Sequence, residues 1–311
     1  ILRFISKFIL KQLFNMRIFD CFMYFDEEIV LETRLEYLNE YVDYFVIVES
    51  KFTHKGDERS LKFNINNYSK FKHKIIYKVH EEFPNKIEKV LDDDDENTRT
   101  RKYIMNALYR ENAQRNYINE GIKNAEEEDI ILISDVDEIP NLSNINIKEI
   151  KEKIILFKQN MFYYKFNLQL PKTDWIGTKG CKKKHLKNPQ WLRNIKDRKY
   201  SLFRIDTFFS QNKYIDVKII NEGGWHFTNI KNAEEIEHKM KSYLHHREFD
   251  LEPINIDAIK KIMQNKQAIY NLGVDKRVNK IGTGSKLEKC DLNNLPEVIK
   301  LNLNKYKEWL D

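Results

Sequence analysis

Short apolar runs alternate along the chain with longer amphipathic stretches, an order that predicts strands joined by helices. Residues 17–24 and 44–48 are rich in aromatic and β-branched side chains, as strands are, and residues 27–41 between them place leucines at helical spacing. A third strand is predicted over residues 74–79 and a long helix over residues 101–125. This order predicts an α/β domain with a mostly parallel central sheet flanked by helices.

Carboxylates follow directly on the most apolar of these runs. Residues 130–133 are Ile, Ile, Leu and Ile, typical of a central strand buried on both faces, and Asp135, Asp137 and Glu138 come next. Open α/β sheets bind ligands at the carboxyl ends of their strands. In extended backbone Asp135 and Asp137 point to the same side, so both can reach one hard divalent cation.

Two more candidates belong to the same edge of the predicted sheet. Glu49 and Ser50 end the second strand, where a carboxylate can accept a hydrogen bond from a ribose hydroxyl or a base. A Glu49 that caps a helix or forms an ion pair fits the pattern equally well. On the long helix, Glu111 and Arg115 stand four residues apart on the apolar face, which predicts a buried ion pair or a clamp for a diphosphate.

Downstream of the acidic residues, the pattern predicts further elements. They are a helix over 146–155, strands over 160–170, 199–205 and 214–220, a lysine-rich loop over 174–187, a hairpin loop over 206–213, helices over 231–247 and 254–272, and a wrapping tail from 274 to 311. Paired glycines at 223–224 let backbone approach a ligand closely. Trp225 then offers a flat face for a sugar or base, and His226 offers a nitrogen ligand, although a hydrogen-bonded core histidine is the commoner case.

Composition narrows the class of protein. The 54 Lys and Arg residues exceed the 48 acidic residues by only 6, so no specific nucleic-acid partner is expected. Three widely spaced cysteines argue against a disulfide framework and favour a cytoplasmic rather than secreted protein. No apolar run reaches the roughly 18 residues that span a bilayer. Residues 1–16 form a basic amphipathic segment that either contacts an anionic membrane surface or packs on the protein.

Several separated blocks resemble glycosyltransferase family 17, the family of β-1,4-mannosyl-glycoprotein 4-β-N-acetylglucosaminyltransferase and of bacterial and viral relatives. The blocks are IFDCFMYFDEE, VDYFVIVESKFTHKG, SLKF, DIILISDVDEIPN and GGWHF, in that order. The resemblance runs from about residue 17 to about residue 227. It implies a single GT-A-like catalytic domain over residues 17–230, between the segment 1–16 and a helical extension over residues 231–311.

The resemblance also implies a chemistry and roles for particular residues. An inverting transferase of this kind moves a sugar, with GlcNAc expected, from a UDP-sugar such as UDP-GlcNAc to a hydroxyl of a glycan acceptor, aided by Mn²⁺ or Mg²⁺. The implied metal ligands are Asp135, Asp137 and His226, and the implied donor-binding residues are Glu49, Ser50, Asp135 and Trp225. Arg115 joins the donor-binding residues because of its place on the long helix, not because of the resemblance. Glu138, Glu222 and Asp174 are the candidates for the general base. The lysine-rich stretch 172–187 departs from the animal enzyme and leaves the acceptor open.

Two other functions fit parts of the pattern. A nucleotidyltransferase also uses paired acids and a metal, but it usually has a glycine-rich loop after the first strand, and residues 20–28 contain no glycine. A non-catalytic module that binds glycan or RNA could use Trp175, Trp191, Trp225 and the lysine cluster. Such binding to RNA depends steeply on salt and needs no metal.

Overall fold

The computed structural model describes residues 16–244, 246–272 and 281–311 of the chain. The strands are β1 Ile18–Tyr24, β2 Tyr44–Ser50, β3 Ile75–His80, β4 Ile130–Asp135, β5 Glu138–Pro140, β6 Ile154–Tyr163, β7 Leu168–Gln169, β8 Trp175–Lys182, β9 Val217–Ile220, β10 Gly224–Thr228 and β11 Glu288–Lys289. The helices are α1 Glu28–Leu38, α2 Glu96–Asn116, α3 Ile118–Gly121, α4 Pro189–Asn194, α5 Ala233–Ser242, α6 His246–Leu251, α7 Ile256–Gln264, α8 Glu297–Leu301 and α9 Leu303–Tyr306.

Strands β3, β2, β1 and β4 lie side by side in that order and run parallel. Their register sets Met23 opposite Asp135 and Tyr24 opposite Glu49, so the three carboxyl ends meet at one edge. The apolar run of β4 is buried on both faces, as a central strand must be. The architecture confirms the predicted α/β class with a central sheet flanked by helices.

The other half of the sheet is organised around the ten-residue strand β6. Strand β8 lies between β4 and β6 and is antiparallel to both. On the other side of β6, β9 runs parallel to its first half and β10 runs parallel to its second half. On its far side β10 pairs antiparallel with β5, which sets His226 opposite Glu138. The sheet therefore brings a residue from far downstream to the turn that follows β4.

Helices cover both faces of the sheet, and each face has its own apolar core. Helices α1 and α8 pack on one face, through residues such as Leu31, Leu35 and Ile299. Helices α3 and α4 pack on the other face, where Trp191 and Leu192 meet β4 and β6. A third core packs helices α5 and α7 against β6 and β7 through Ile236, Ile259 and neighbouring residues.

A buried guanidinium shapes the turn between β4 and β5. Arg34 on α1 is fully buried and donates to both oxygens of Asp20, at 2.7 and 2.6 Å. It also donates to the main-chain carbonyl oxygens of Asp135, Val136 and Glu138, at 3.1, 3.1 and 2.9 Å. These bonds satisfy buried carbonyl groups that the turn leaves outside the strand ladder. The backbone that presents the acidic residues is thus held from beneath.

The predicted loop over 174–187 is instead largely strand β8. The two glycines on which the loop prediction rested occupy positions within this strand. A Cβ at Gly177 would collide with the Gln159 amide and lie 3.0 Å from the carboxyl carbon of Glu138. A Cβ at Gly180 would lie 2.8 Å from a methyl group of Leu132. Close packing across the sheet, rather than loop flexibility, explains these glycines.

Two other segments differ from the sequence-based expectation. The predicted helix over 146–155 is only a 3₁₀ turn at Ile147–Glu149, after which β6 begins at Ile154. The predicted strand over 199–205 is irregular backbone, and a 3₁₀ turn at Ile205–Thr207 replaces the predicted hairpin loop. The long helix begins five residues earlier than predicted, because the Asp95 side chain caps it, and it ends at Asn116.

The expectations for residues 1–16 fall outside the described residues, apart from Met16, which is buried. Within the described ranges, no helix combines the length and the hydrophobicity needed to cross a bilayer.

Candidate active site

A cavity of about 350 Å³ opens at the carboxyl edge of the parallel strands. Asp135 and Asp137 from the β4–β5 turn, Ser50 from β2 and His226 from β10 all line it. The C-terminal region supplies another wall through Lys239 and aromatic residues. Apolar walls with a few converging polar groups are typical of a site for a small ligand.

Asp137 and His226 form the closest pair in this wall. Asp137 Oδ1 lies 3.6 Å from His226 Nε2, and both residues are largely buried. Burial opposes ionisation of Asp137, but the nearby imidazole and Lys239 outweigh it, and the pKa of Asp137 is lowered. Burial likewise opposes the charge on His226, yet Asp137 and the neighbouring carboxylates raise the pKa of its imidazole.

Asp135 is turned toward two arginines. Its Oδ1 accepts from Arg115 and its Oδ2 from Arg193, each at 3.1 Å. Burial disfavours the charged carboxylate, but Arg193 and Arg115 hold the pKa of Asp135 well below its usual value. Its side chain is still 39% exposed, so part of this carboxylate faces the cavity.

Glu138 is enclosed beneath the cavity wall. The residue is fully buried, and its carboxylate accepts from the Asp135 N–H at 2.9 Å and the Trp175 indole at 2.8 Å. Arg193 donates to both of its oxygens, at 2.7 and 3.1 Å. These four hydrogen bonds occupy both carboxylate oxygens and fix the turn. The structure therefore corrects the expectation that Glu138 is free to take a proton from an acceptor.

Lys239 on α5 extends the positive charge along the same wall. Its Nζ lies 3.4 Å from Glu27 Oε1 and 3.8 Å from Asp137 Oδ2. Burial disfavours the ammonium, but Glu27 and Asp137 outweigh it and raise the pKa of Lys239. The cavity therefore contains an alternating row of anions and cations from Glu27 to His226.

The donor atoms of Asp137 and His226 fit a divalent cation. Metal–ligand bonds of about 2.0–2.2 Å allow two ligand atoms to lie up to roughly 4 Å apart. Carboxylate oxygen suits Mg²⁺ and Mn²⁺, and imidazole nitrogen is a ligand of divalent transition metals. His226 Nε2, the nitrogen that faces Asp137, also lies 3.1 Å from the Thr228 hydroxyl oxygen, while the buried Nδ1 atom has no hydrogen-bond partner among the described residues. The oxygens of Asp135, the third predicted ligand, bind Arg115 and Arg193 in this structure. In the described ranges no three His, Cys, Asp or Glu side chains are arranged to hold a metal ion.

Comparison with known proteins decides the family. The family model described as glycosyltransferase family 17 matches residues 9–310, nearly the whole chain. The chain belongs to glycosyltransferase family 17. No curated protein matches the sequence. Among solved structures, glucosyl-3-phosphoglycerate synthase from Mycobacterium tuberculosis, in complex with Mn²⁺, UDP and phosphoglyceric acid, is 10% identical, with 92% of each chain covered and a TM-score of 0.30. A likeness this weak supports no inference about this chain.

Of the residues that the family 17 resemblance assigns to the donor, Ser50 and Asp135 line the cavity. Glu49 does not, because it is fully buried and accepts from the main-chain N–H groups of Lys62 and Phe63, at 2.7 and 3.1 Å. Arg59 and the Tyr77 hydroxyl bind the same carboxylate. Glu49 therefore anchors the segment that follows β2, which is the ion-pair alternative.

Arg115 reaches the site only through Asp135. Its Nη2 donates to Glu111 at 2.8 Å and to Asp135 at 3.1 Å, and its side chain is 4% exposed. The predicted i to i+4 pair is therefore formed, and the guanidinium positions an acidic side chain rather than facing the cavity.

Three further predicted site residues lie outside the cavity lining. Trp225 packs edge-on against Tyr37, and its indole donates to the Asn294 carbonyl at 2.6 Å, so it is a core residue. The strand alternation of β10 explains this, since neighbouring residues face opposite sides of a sheet. Glu222 is exposed in the turn before β10. Asp174 is exposed and forms an ion pair with Lys158 at 2.8 Å.

Sequence reasoning missed Glu27, Arg193 and Lys239. Glu27 follows β1 at the same edge where Asp135 ends β4, so the strand-end rule that found the acidic residues applies to it as well. Trp175 was considered only for a binding module, and it lines the cavity with its ring 5.0 Å from that of His226. No pattern in the sequence distinguishes Arg193 or Lys239 from the other basic residues of the chain.

Proposed function

We propose that this glycosyltransferase transfers a sugar, with GlcNAc expected, from a UDP-sugar to a hydroxyl of a glycan with inversion of configuration. A divalent cation, Mn²⁺ or Mg²⁺, would be held by Asp137 and His226. The observation that carries this proposal is the meeting of these two side chains in the wall of the cavity, 3.6 Å apart at Oδ1 and Nε2. Carboxylate and imidazole from distant parts of the sequence converge there on one point.

When bound, the cation would neutralise negative charge that develops on the diphosphate leaving group. Lys239 supplies a second, fixed positive charge beside Asp137, and a preorganised charge of this kind stabilises a leaving anion in a site with little water. Arg193 and Arg115 hold Asp135 in its ionised form at the end of β4. Trp175, Tyr243 and Tyr270 give the cavity flat apolar faces of the kind that pack on sugar rings.

The acceptor hydroxyl must lose a proton to a base that the cavity contains. Besides the aspartates, the carboxylates that line the described part of the cavity are Glu27 and Glu111. Burial opposes ionisation of both, but Lys239 outweighs it at Glu27 and Arg115 at Glu111, so both pKa values are lowered. Both are therefore carboxylates at neutral pH, and we assign the general base to one of them. The Gln variant of the base should lose transfer while UDP binding persists.

The test is release of UDP from UDP-GlcNAc in the presence of Mn²⁺. Asp137→Ala and His226→Ala should each lower turnover roughly a hundredfold or more, because the loss of a residue that merely orients a metal ligand already costs about 10–100-fold. Asp257→Ala on α7 is a matched control, because this carboxylate is exposed and outside the cavity lining. Full turnover in both site variants would contradict the proposal.

Calorimetry with UDP separates this proposal from the alternative classes. The transferase should bind UDP tightly only when Mn²⁺ or Mg²⁺ is present, and a chelator should reverse the binding. A glycan- or RNA-binding module would ignore the metal, and its affinity for RNA would fall steeply with salt. A nucleotidyltransferase would release pyrophosphate from a nucleoside triphosphate and a sugar phosphate instead of UDP. A panel of UDP-sugars then identifies the donor.

A further inference from the structure

The segment between α4 and β9 exposes an unusual number of large apolar side chains. Leu202, Phe203, Ile205, Phe208 and Phe209 fall within eight residues, and each is between 72% and 94% exposed. We call residues 201–209 the apolar tip. Single exposed apolar residues are ordinary, but five in one short segment mark a surface that binds something.

The apolar tip reverses the usual arrangement of polar and apolar residues. Thr207 is buried, and its hydroxyl donates to the Arg204 carbonyl at 2.6 Å. Tyr200 at the base is also buried, and Arg198 and Arg204 lie over its ring at 5.4 and 5.3 Å. The polar residues therefore form the inner support, and the phenylalanines point outward.

Basic residues surround the base of the apolar tip. Lys196, Arg198 and Lys199 are exposed, and none forms an ion pair with an acidic side chain in the described ranges. Nearby, Arg204 and Lys213 share Asp206, at 2.8 and 2.6 Å. Residues 196–214 contain five basic and two acidic side chains and so have a net charge of +3. The apolar side chains lie outermost and the unpaired cations lie behind them. An anionic bilayer has the matching layers, because phosphate headgroups at its surface cover the acyl chains beneath.

We propose that the apolar tip inserts into the headgroup region of an anionic membrane and docks the enzyme there. Its nine residues are fewer than the roughly 20–30 per side of a stable protein interface, which favours insertion over a protein partner. The apolar tip contributes no residue to the lining of the cavity, so docking and catalysis use separate surfaces. This inference does not depend on the proposed function.

Sedimentation with vesicles tests the proposal with the full chain. Vesicles of phosphatidylcholine and phosphatidylglycerol in equal parts should bind the protein, and vesicles of phosphatidylcholine alone should bind it much less. Phe203→Ser with Phe209→Ser should weaken binding to the mixed vesicles roughly tenfold or more. Arg198→Gln with Lys199→Gln should reduce the preference for anionic lipid and its sensitivity to salt.

Leu301→Ser is the matched control. Leu301 is 75% exposed on α8, which packs on the opposite face of the sheet, so this variant should bind vesicles as the unchanged protein does. Unfolding midpoints close to that of the unchanged protein would establish that all variants fold, as expected for side chains with so little packing. A Phe209→Trp variant gives a direct reading, because its emission should shift to shorter wavelength when mixed vesicles are added.

Three results would overturn the proposal. The first is no binding to mixed vesicles, or equal binding by the Phe203→Ser, Phe209→Ser protein. The second is loss of binding only when Lys7→Gln and Lys11→Gln are introduced, which would assign the contact to residues 1–16. The third is a dimer in size-exclusion chromatography that the variant of the apolar tip converts to a monomer, because the surface would then join two copies of the chain.

Discussion

Two clusters of buried charged residues contact the β4–β5 turn, one beneath it and one in the cavity wall. They differ in how many of their charged atoms form good hydrogen bonds. Beneath the turn, Arg34 donates to Asp20 and to three carbonyl groups, and both side chains are fully buried. In the cavity wall, the Asp137 carboxylate lies 3.6 Å from His226 Nε2 and 3.8 Å from Lys239 Nζ, and both distances are too long for ideal hydrogen bonds.

The difference separates support from function. A closed cluster leaves no donor or acceptor for a ligand, and its charges serve only to fix backbone. An open cluster retains capacity to bind, as the long distances from Asp137 to His226 and to Lys239 indicate. Substitutions in the first cluster should therefore lower stability, and substitutions in the second should lower activity with little change in stability.

The largest expected effect follows from removing the guanidinium beneath the turn. Arg34→Met leaves the buried Asp20 carboxylate and the carbonyl groups of Asp135 and Val136 without their donor, so the free energy of unfolding should fall by about 3–5 kcal/mol. Urea unfolding followed by circular dichroism measures this change.

The double variant Arg34→Met, Asp20→Leu is the control for that interpretation. It removes the uncompensated carboxylate as well, so it should recover part of the lost stability. If Arg34→Met unfolded at the same urea concentration as the unchanged protein, the closed cluster would have no structural role and the comparison would fail.

The next largest effect concerns the cation in the open cluster. Lys239→Gln removes the fixed charge 3.8 Å from Asp137, and we expect turnover of UDP-GlcNAc with saturating Mn²⁺ to fall roughly a hundredfold. Lys239→Arg keeps the charge and should retain more of the activity. The measurement is steady-state UDP release.

Lys241→Gln provides a matched control on the same helix. Lys241 is 51% exposed and pairs with Glu237 at 2.9 Å, so its removal should leave turnover unchanged. Equal losses in the Lys239 and Lys241 variants would show that the loss comes from helix α5 as a whole and not from the charge in the cavity.

The sequence predicted the parallel half of the fold because β2 and β4 are short, strongly apolar runs and because a single helix joins β1 to β2. Strands β1 to β4 and helix α1 lie close to their predicted positions, and the same pattern located the acidic turn. The strand-end rule works there because parallel strands end together at one edge.

The strands around β6 were harder to predict, because contacts between segments distant in sequence determine which residue types fit at their positions. Positions 177 and 180 of strand β8 are glycines because the Gln159 and Leu132 side chains leave no room for a Cβ, a constraint that only the folded sheet imposes. Trp225 faces the core while His226 faces the cavity, and the chain alone gave no way to decide which neighbour faced which side.

A smaller effect is expected when the pH is lowered at the rim of the cavity. Burial lowers the pKa of His54, whose Nε2 lies 3.1 Å from the Gln114 side-chain oxygen. Folding lowers the pKa of His54 below its unfolded value of about 6.5, so the folded protein favours the neutral imidazole. The stability that this contributes is fully present at a pH above about 6.5, and it is lost as the pH falls from there through the pKa of the folded state. His54→Gln should therefore lose less unfolding free energy than the unchanged protein between about pH 7.5 and pH 5. Parallel slopes for the two proteins would contradict this expectation.

The smallest effect is expected at the two acids that the loops suggested as bases. Asp174 has a 71% exposed side chain in an ion pair with Lys158, and such pairs contribute about 0–1 kcal/mol. Asp174→Asn and Glu222→Gln should change the free energy of unfolding by no more than about 0.5 kcal/mol and leave sugar transfer intact. Hydrolysis of the donor by water, measured beside transfer to a glycan, makes the test specific. If one variant lost transfer but kept hydrolysis, that acid would act on the acceptor hydroxyl from outside the cavity lining. The open cluster would then not include every residue that catalysis requires.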